Sequence, residues 1–231
     1  MPFAEFVAAL FPSVCWLCGA ASSGPVCAQH ALPERPHGAR CGTCARQLSA
    51  ALPDGARCAY CRRHPPGFRH VFVLADYEGA CREWLLALKH GGRKDLARPL
   101  GAALARRVAG HSILVPVPLH PLRRFERGYD QALLLAEEVA VHSGGACLRA
   151  LQRVRSTHVQ GAPGAASRAA NVRAAFRVPR RAAPRIAGKE LLLVDDVLTS
   201  GSTASECARA LRRAGAKAVD VLAIARAGSL R

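Results

Sequence analysis

Residues Leu191 to Thr203, Leu-Leu-Leu-Val-Asp-Asp-Val-Leu-Thr-Ser-Gly-Ser-Thr, constrain this chain more than any other stretch. Four consecutive apolar residues, Leu191 to Val194, predict a strand buried on both faces, as in a parallel sheet covered by helices. Asp195 and Asp196 then stand at its C-terminal end, where open α/β sheets take their ligands. Thr199 to Thr203 form a turn with Gly201 at its centre and hydroxyls on the other residues. Ala204, Cys207, Ala208 and Leu211 continue at helical spacing, Arg209, Arg212 and Arg213 fall late, and Gly215 is the stop.

A small-residue turn that opens a helix presents unpaired N–H groups to an anion, and its hydroxyls add donors. Carboxylates repel phosphates but accept hydrogen bonds from vicinal sugar hydroxyls. The ligand this stretch predicts is therefore a ribose 5-phosphate. No lysine follows Gly201, as a Walker loop requires, and the three spaced glycines of a dinucleotide fingerprint are missing.

Seven of the ten cysteines lie between positions 15 and 61. They form the pairs Cys15/Cys18, Cys41/Cys44 and Cys58/Cys61, and a fourth pair, Cys27/His30, ends in histidine at the same offset. Such a turn puts two ligands within reach of one tetrahedral metal. The simplest grouping is two structural zinc sites, Cys15/Cys18/Cys27/His30 and Cys41/Cys44/Cys58/Cys61. A cross-braced pairing uses the same ligands and stays open on spacing alone. Disulfides are the competing reading, but no secretory signal precedes these pairs and the rest reads as an intracellular enzyme. The segment has little apolar core, so metal must hold it. Cys81, Cys147 and Cys207 remain as small core hydrophobes.

Formal net charge is +17 over 231 residues, with arginine strongly preferred to lysine. That excess suits anionic partners, whether sugar phosphates, nucleotides or nucleic acid. Phe3, Phe6, Val7 and Leu10 predict a short amphipathic helix. No stretch is long and apolar enough to span a membrane, so a soluble, cytoplasmic protein is expected.

His64-Pro65-Pro66-Gly67 marks a boundary, giving residues 1–67 as a short helix plus zinc ribbon and 68–231 as an α/β domain. Val71 to Tyr77 predicts a strand, Ala80 to Lys89 a helix with Leu85, Leu86 and Leu88 inward, and Leu96 to Val108 a second helix. Ile113 to Pro118 is a strand that ends at its prolines. Arg123, Arg124 and Arg127 cluster before a helix capped by Asp130. Leu148, Ala150 and Leu151 predict a short strand, and Ala174 to Val178 another. Between them Arg153 to Val172 reads as a mobile lid. A basic linker leads to Ile186, and Lys217 to Ala225 closes a mainly parallel sheet flanked by helices.

The acid pair and the Thr-Ser-Gly-Ser-Thr loop resemble the phosphoribosyl pyrophosphate (PRPP) motif of type I phosphoribosyltransferases. Together with the zinc pairs, Leu88-Lys89, Val115-Pro-Val-Pro118, Arg127-Gly-Tyr-Asp-Gln131, Arg155-x-Thr157-x-x-Gln160 and Arg168-x-x-Asn171, they resemble the ComF/GntX family. In that family a double zinc ribbon precedes a type I phosphoribosyltransferase-like domain, and some members are associated with competence and DNA uptake. The resemblance implies that Asp195 and Asp196 are catalytic and contact the ribose hydroxyls. It implies that Asp195 through Val197 and Thr199, Ser200, Gly201, Ser202 and Thr203 bind PRPP. Lys89, Arg123, Arg124 and Arg127 are the candidates for the pyrophosphate side, with Mg²⁺. His30 and Asp130 depart from the family pattern, which favours cysteine and asparagine there.

Two functions follow as expectations. One is a phosphoribosyltransferase, in which Mg²⁺ and basic residues stabilise departing pyrophosphate while a base, not identifiable from the sequence, attacks C1. The other is a DNA-handling protein that keeps the fold as a ligand-binding module and takes single-stranded DNA as a partner. Aromatic residues make up only 5% of the chain, few for base stacking.

Overall fold

The computed structural model describes residues 14–22, 26–32, 38–49, 53, 56–108, 110, 112–119, 128–154 and 174–228. The predicted N-terminal helix, Arg123, Arg124, Arg127 and most of the predicted lid lie outside the described residues. In chain order come α1 (Ala59–Arg63), β1 (Val71–Asp76), α2 (Gly79–His90), α3 (Ala97–Ala105), β2 (Ile113–Pro116), α4 (Gln131–Ser143) and β3 (Ala146–Cys147). They are followed by β4 (Gln152–Arg153), β5 (Phe176–Arg177), α5 (Ala183–Ile186), β6 (Glu190–Leu198), α6 (Ser202–Arg213) and β7 (Ala218–Arg226).

Five strands make one sheet in the order β1-β7-β6-β2-β3, every neighbouring pair parallel. β4 and β5 form a separate antiparallel pair. The central strand β6 explains the layering through its period of two. Leu191 and Leu193 face one side, where Ala204, Cys207, Ala208 and Leu211 of α6 pack against them. Leu192 and Val194 face the other, against Leu85 and Leu88 of α2, Leu100 and Leu104 of α3 and Leu135 of α4. All of these residues are fully buried. Each such leucine contributes about 1.5–3 kcal/mol, so a strand apolar on both faces is stable only between two helical layers. α3 and α4 touch where Gly101 leaves no side chain: a Cβ there would lie 2.3 Å from Glu138 Cβ.

Several boundaries differ from expectation. The helix predicted from Leu96 begins as a 3-10 turn, Lys94–Leu96, before α3. Leu86 is only half-buried, because it lies to the side of the Leu85/Leu88 stripe. The strand predicted over Leu148–Leu151 is instead a buried link between β3 and β4, bent where the Ala150 N–H donates to the Leu148 carbonyl. The predicted linker to Ile186 contains α5, which opens on Pro184. Asp195 and Asp196 do not follow the strand but lie within β6. β7 keeps pairing with β6 as far as Leu198–Arg226, whereas β2 stops at Pro116, paired with Val194. No helix among the described residues is long and apolar enough to cross a membrane.

Candidate functional site

The early end of β2 opens the site. After β2 the chain turns toward β3, and after β6 it turns the opposite way toward β7, so the β2/β6 boundary is the switch point of the sheet. Ligands bind open parallel sheets in that crevice. Here it is a cavity of about 150 Å³ lined by Lys89, Asp130, Arg153, Asp195, Asp196 and Thr203 among others. Lys89, at the end of α2, places Nζ 3.1 Å from Asp196 Oδ2. Tyr129 steadies that helix end by donating its hydroxyl to the Leu88 carbonyl. Asp130 caps α4 as expected, accepting from the Leu133 N–H at 3.2 Å, and its other oxygen accepts from Leu119 N–H at 3.4 Å.

The two acids differ. Asp195 is half-buried at the cavity wall and faces the Asp196 charge, and these effects push its carboxyl up to about 8 against the opposing pull of the Asp196 N–H and Lys89. The bond from Asp196 N–H to Asp195 Oδ1 is 2.9 Å. Asp196 instead holds Lys89 directly. Of the predicted phosphate loop, Thr203 opens on this cavity, whereas Ser200, Gly201 and Ser202 line a second cleft of about 350 Å³ beside Cys44 and Cys61 of the second cysteine cluster. Gly201 makes the turn into α6 at φ +80°, a conformation that side chains disfavour. The Ser200 and Ser202 hydroxyls are 2.9 Å apart.

Both cysteine groups assemble as the spacing predicts. The ligand atoms of Cys15, Cys18, Cys27 and His30 lie within 4.8 Å of one another, as do those of Cys41, Cys44, Cys58 and Cys61. This resolves the grouping in favour of adjacent pairs over cross-bracing. Cys18 and Cys27 sulfurs are 3.9 Å apart, as are those of Cys44 and Cys58. Thiolates at ~2.3 Å around a tetrahedral ion are ~3.8 Å apart, so both donor sets fit such a metal. No disulfide joins any of the described cysteines. Burial pushes the Cys81 thiol up to about 12 and Cys147 to about 11, and raises Cys207 well above its ordinary value, as expected of inert core thiols.

Arg226 is the residue sequence reading missed. It is 3% exposed, and its guanidinium donates to the carbonyls of Cys44, Leu198, Thr199 and Ala227. One side chain thus joins the second cysteine cluster to the start of the phosphate loop. Its only sequence signal is a charge that ends the apolar run Val221 to Ala225. Arg153 was also missed; it lines the cavity beside Lys89 and lies 5.6 Å over the Phe176 ring. In the second cleft Arg46 stacks 5.2 Å from the Tyr60 ring, whose centroid is 5.1 Å from that of His64.

A parallel sheet with two acids at its switch point and a hydroxyl-rich turn into the next helix defines the phosphoribosyltransferase-like class of α/β proteins. The family model described as "Phosphoribosyl transferase domain" matches residues 97–231. "DNA utilization protein YhgH" of Salmonella typhimurium is 32% identical over 228 residues, 93% of this chain and 97% of that protein. "Competence protein F" of Haemophilus influenzae is 33% identical over 142 residues, 58% of this chain and 61% of its own. The glutamine PRPP amidotransferase from B. subtilis, solved with ADP and GMP, is a remote likeness: 22% identity, TM-score 0.42, 60% of this chain and 30% of that one. The chain belongs to the phosphoribosyltransferase domain family, in the ComF group whose cysteine clusters fit a double zinc ribbon.

Proposed function

We propose that this chain binds PRPP or a related ribose 5-phosphate at the β2/β6 crevice and transfers the phosphoribosyl group to a base, releasing pyrophosphate. The observation that carries this reading is the meeting of Lys89, Asp195, Asp196 and Thr203 around one cavity. Asp195 and Asp196 accept the ribose hydroxyls, and Asp196 gives up Lys89 in doing so. Thr199 to Thr203 hold the 5-phosphate with the N-terminal N–H groups of α6. Lys89 and Arg153, joined by Arg123, Arg124 or Arg127, stabilise the charge that gathers on pyrophosphate as the C1–O bond breaks. Mg²⁺ accompanying PRPP would neutralise part of that charge. Calorimetry with PRPP tests the site: Asp195→Asn and Asp196→Asn should abolish binding, and unaltered affinity would overturn the assignment. Pyrophosphate release across a panel of bases tests turnover.

Structural zinc is the metal whose tetrahedral sulfur and nitrogen chemistry fits both clusters. With two such sites the chain divides into a metal-held segment, 1–67, and the phosphoribosyltransferase-like domain, 68–231. Free thiols in this number suit a reducing compartment, the cytoplasm.

The second cleft favours one further reading. Arg46, Arg63 and Arg209 line it with Tyr60 and His64, a combination suited to single-stranded nucleic acid. Relatives named for DNA utilization and competence are consistent with this use. Binding of labelled single-stranded DNA that weakens steeply with salt supports it; no binding at low salt removes it.

A further inference from the structure

We propose that Glu83 is the positioning residue of the first metal site: it accepts the Nε2–H of His30 and thereby commits His30 to ligation through Nδ1. The inference rests on the metal reading above. A neutral imidazole carries one proton, and the nitrogen that donates it leaves the other with a free lone pair. His30 Nε2 lies 2.6 Å from Glu83 Oε2. On the opposite side of the ring, Nδ1 lies 3.4 Å from Cys15 Sγ and 3.2 Å from Cys27 Sγ, inside the ligand group. A bond to a carboxylate at Nε2 therefore turns the basic nitrogen toward the metal position.

The next residue of the same helix fixes the backbone behind the ring. Trp84, itself 3% exposed, donates its indole N–H to the His30 carbonyl at 2.7 Å. Consecutive residues of α2 thus grip both ends of His30, which lies 53 positions earlier in the chain and is 7% exposed. A cysteine at this position would need no such partner, because a thiolate has no tautomer to set. Histidine does, and carboxylate partners of metal-bound imidazoles are worth about 10–100-fold in affinity. Glu83's own side chain is 57% exposed, so little else in the fold depends on it.

The test uses the full chain loaded with zinc and titrated with a chromogenic chelator that resolves two equivalents. Glu83→Ala should release one equivalent about 10–100-fold more easily and leave the second unchanged, which also reports that the fold is intact. Glu83→Gln, which keeps a weaker acceptor, should fall between. In a His30→Cys background, Glu83→Gln should change the affinity less than about threefold. Nitrogen-15 NMR of the zinc-loaded wild type should show His30 protonated at Nε2. Wild-type affinity for both equivalents in Glu83→Ala, or a proton on Nδ1, would overturn the role of Glu83. A wild-type chain that holds zinc only at the second site would instead overturn the metal reading of the first.

Discussion

Asp195→Asn should stabilise the ligand-free protein while destroying its site. Burial and the neighbouring Asp196 charge raise the Asp195 carboxyl from its ordinary 3.8 to about 8. A raised folded-state value means that the folded protein holds this proton more tightly than the unfolded chain. The resulting stability is full below pH ~4 and is lost as pH rises toward about 8. A displacement of that size sets a ceiling of roughly 6 kcal/mol. Relaxation of the carboxyl toward the open side of the cavity reduces this, so about 2–4 kcal/mol is the working figure at pH 9. Asparagine is neutral, matches the shape, and its Oδ1 can still accept the Asp196 N–H. Thermal unfolding of the metal-loaded proteins should therefore show only a small advantage for the variant at pH 5, where about 1.6 kcal/mol of the effect is already present. At pH 9 the variant should melt roughly 5–15 °C higher. A variant no more stable at pH 9 than at pH 5, relative to wild type, would refute the account of Asp195 as a half-buried, repelled carboxyl.

Three other substitutions or treatments probe the frame. Arg226→Met leaves the Cys44 and Thr199 carbonyls without their buried donor; it should lower stability by about 3 kcal/mol in urea unfolding, and an unchanged midpoint would discount that link. Gly101→Ala puts a methyl group against Glu138 and should cost about 1–3 kcal/mol by the same measurement, where a neutral result would contradict the α3/α4 contact. Chelation of the metals should alter the far-ultraviolet circular dichroism and, by loosening the Arg226 contact to Cys44, weaken ribose 5-phosphate binding about tenfold; an identical spectrum would argue against metal-held folding.

The reach of the sequence into this structure is uneven for physical reasons. β6 and the buried face of α6 were legible residue by residue, because hydrophobic period and length determine them. The two cysteine groups were legible because ligand spacing is local. The acids proved to be inside β6, since strand length depends on how far β7 continues to pair, and nothing near Asp195 encodes that. Arg226 and Glu83 act on residues far away in the chain, and a distant partner leaves no local pattern. The short strands β3, β4 and β5 are fixed by packing more than by propensity, and their limits were correspondingly missed.

β7 comes last in the chain among the described strands, yet lies between β1 and β6 in the sheet. β1 therefore waits for its partner while about 140 further residues are made. At translation speeds of ~5–20 residues per second that is on the order of 10 s. Throughout it the nascent chain carries an apolar strand with an unsatisfied edge. The cysteine clusters, made first and closed locally, can fold on the ribosome long before the sheet. Arg226, at the end of β7, then arrives as a latch, and both the cluster and the phosphate loop become secured in one late step.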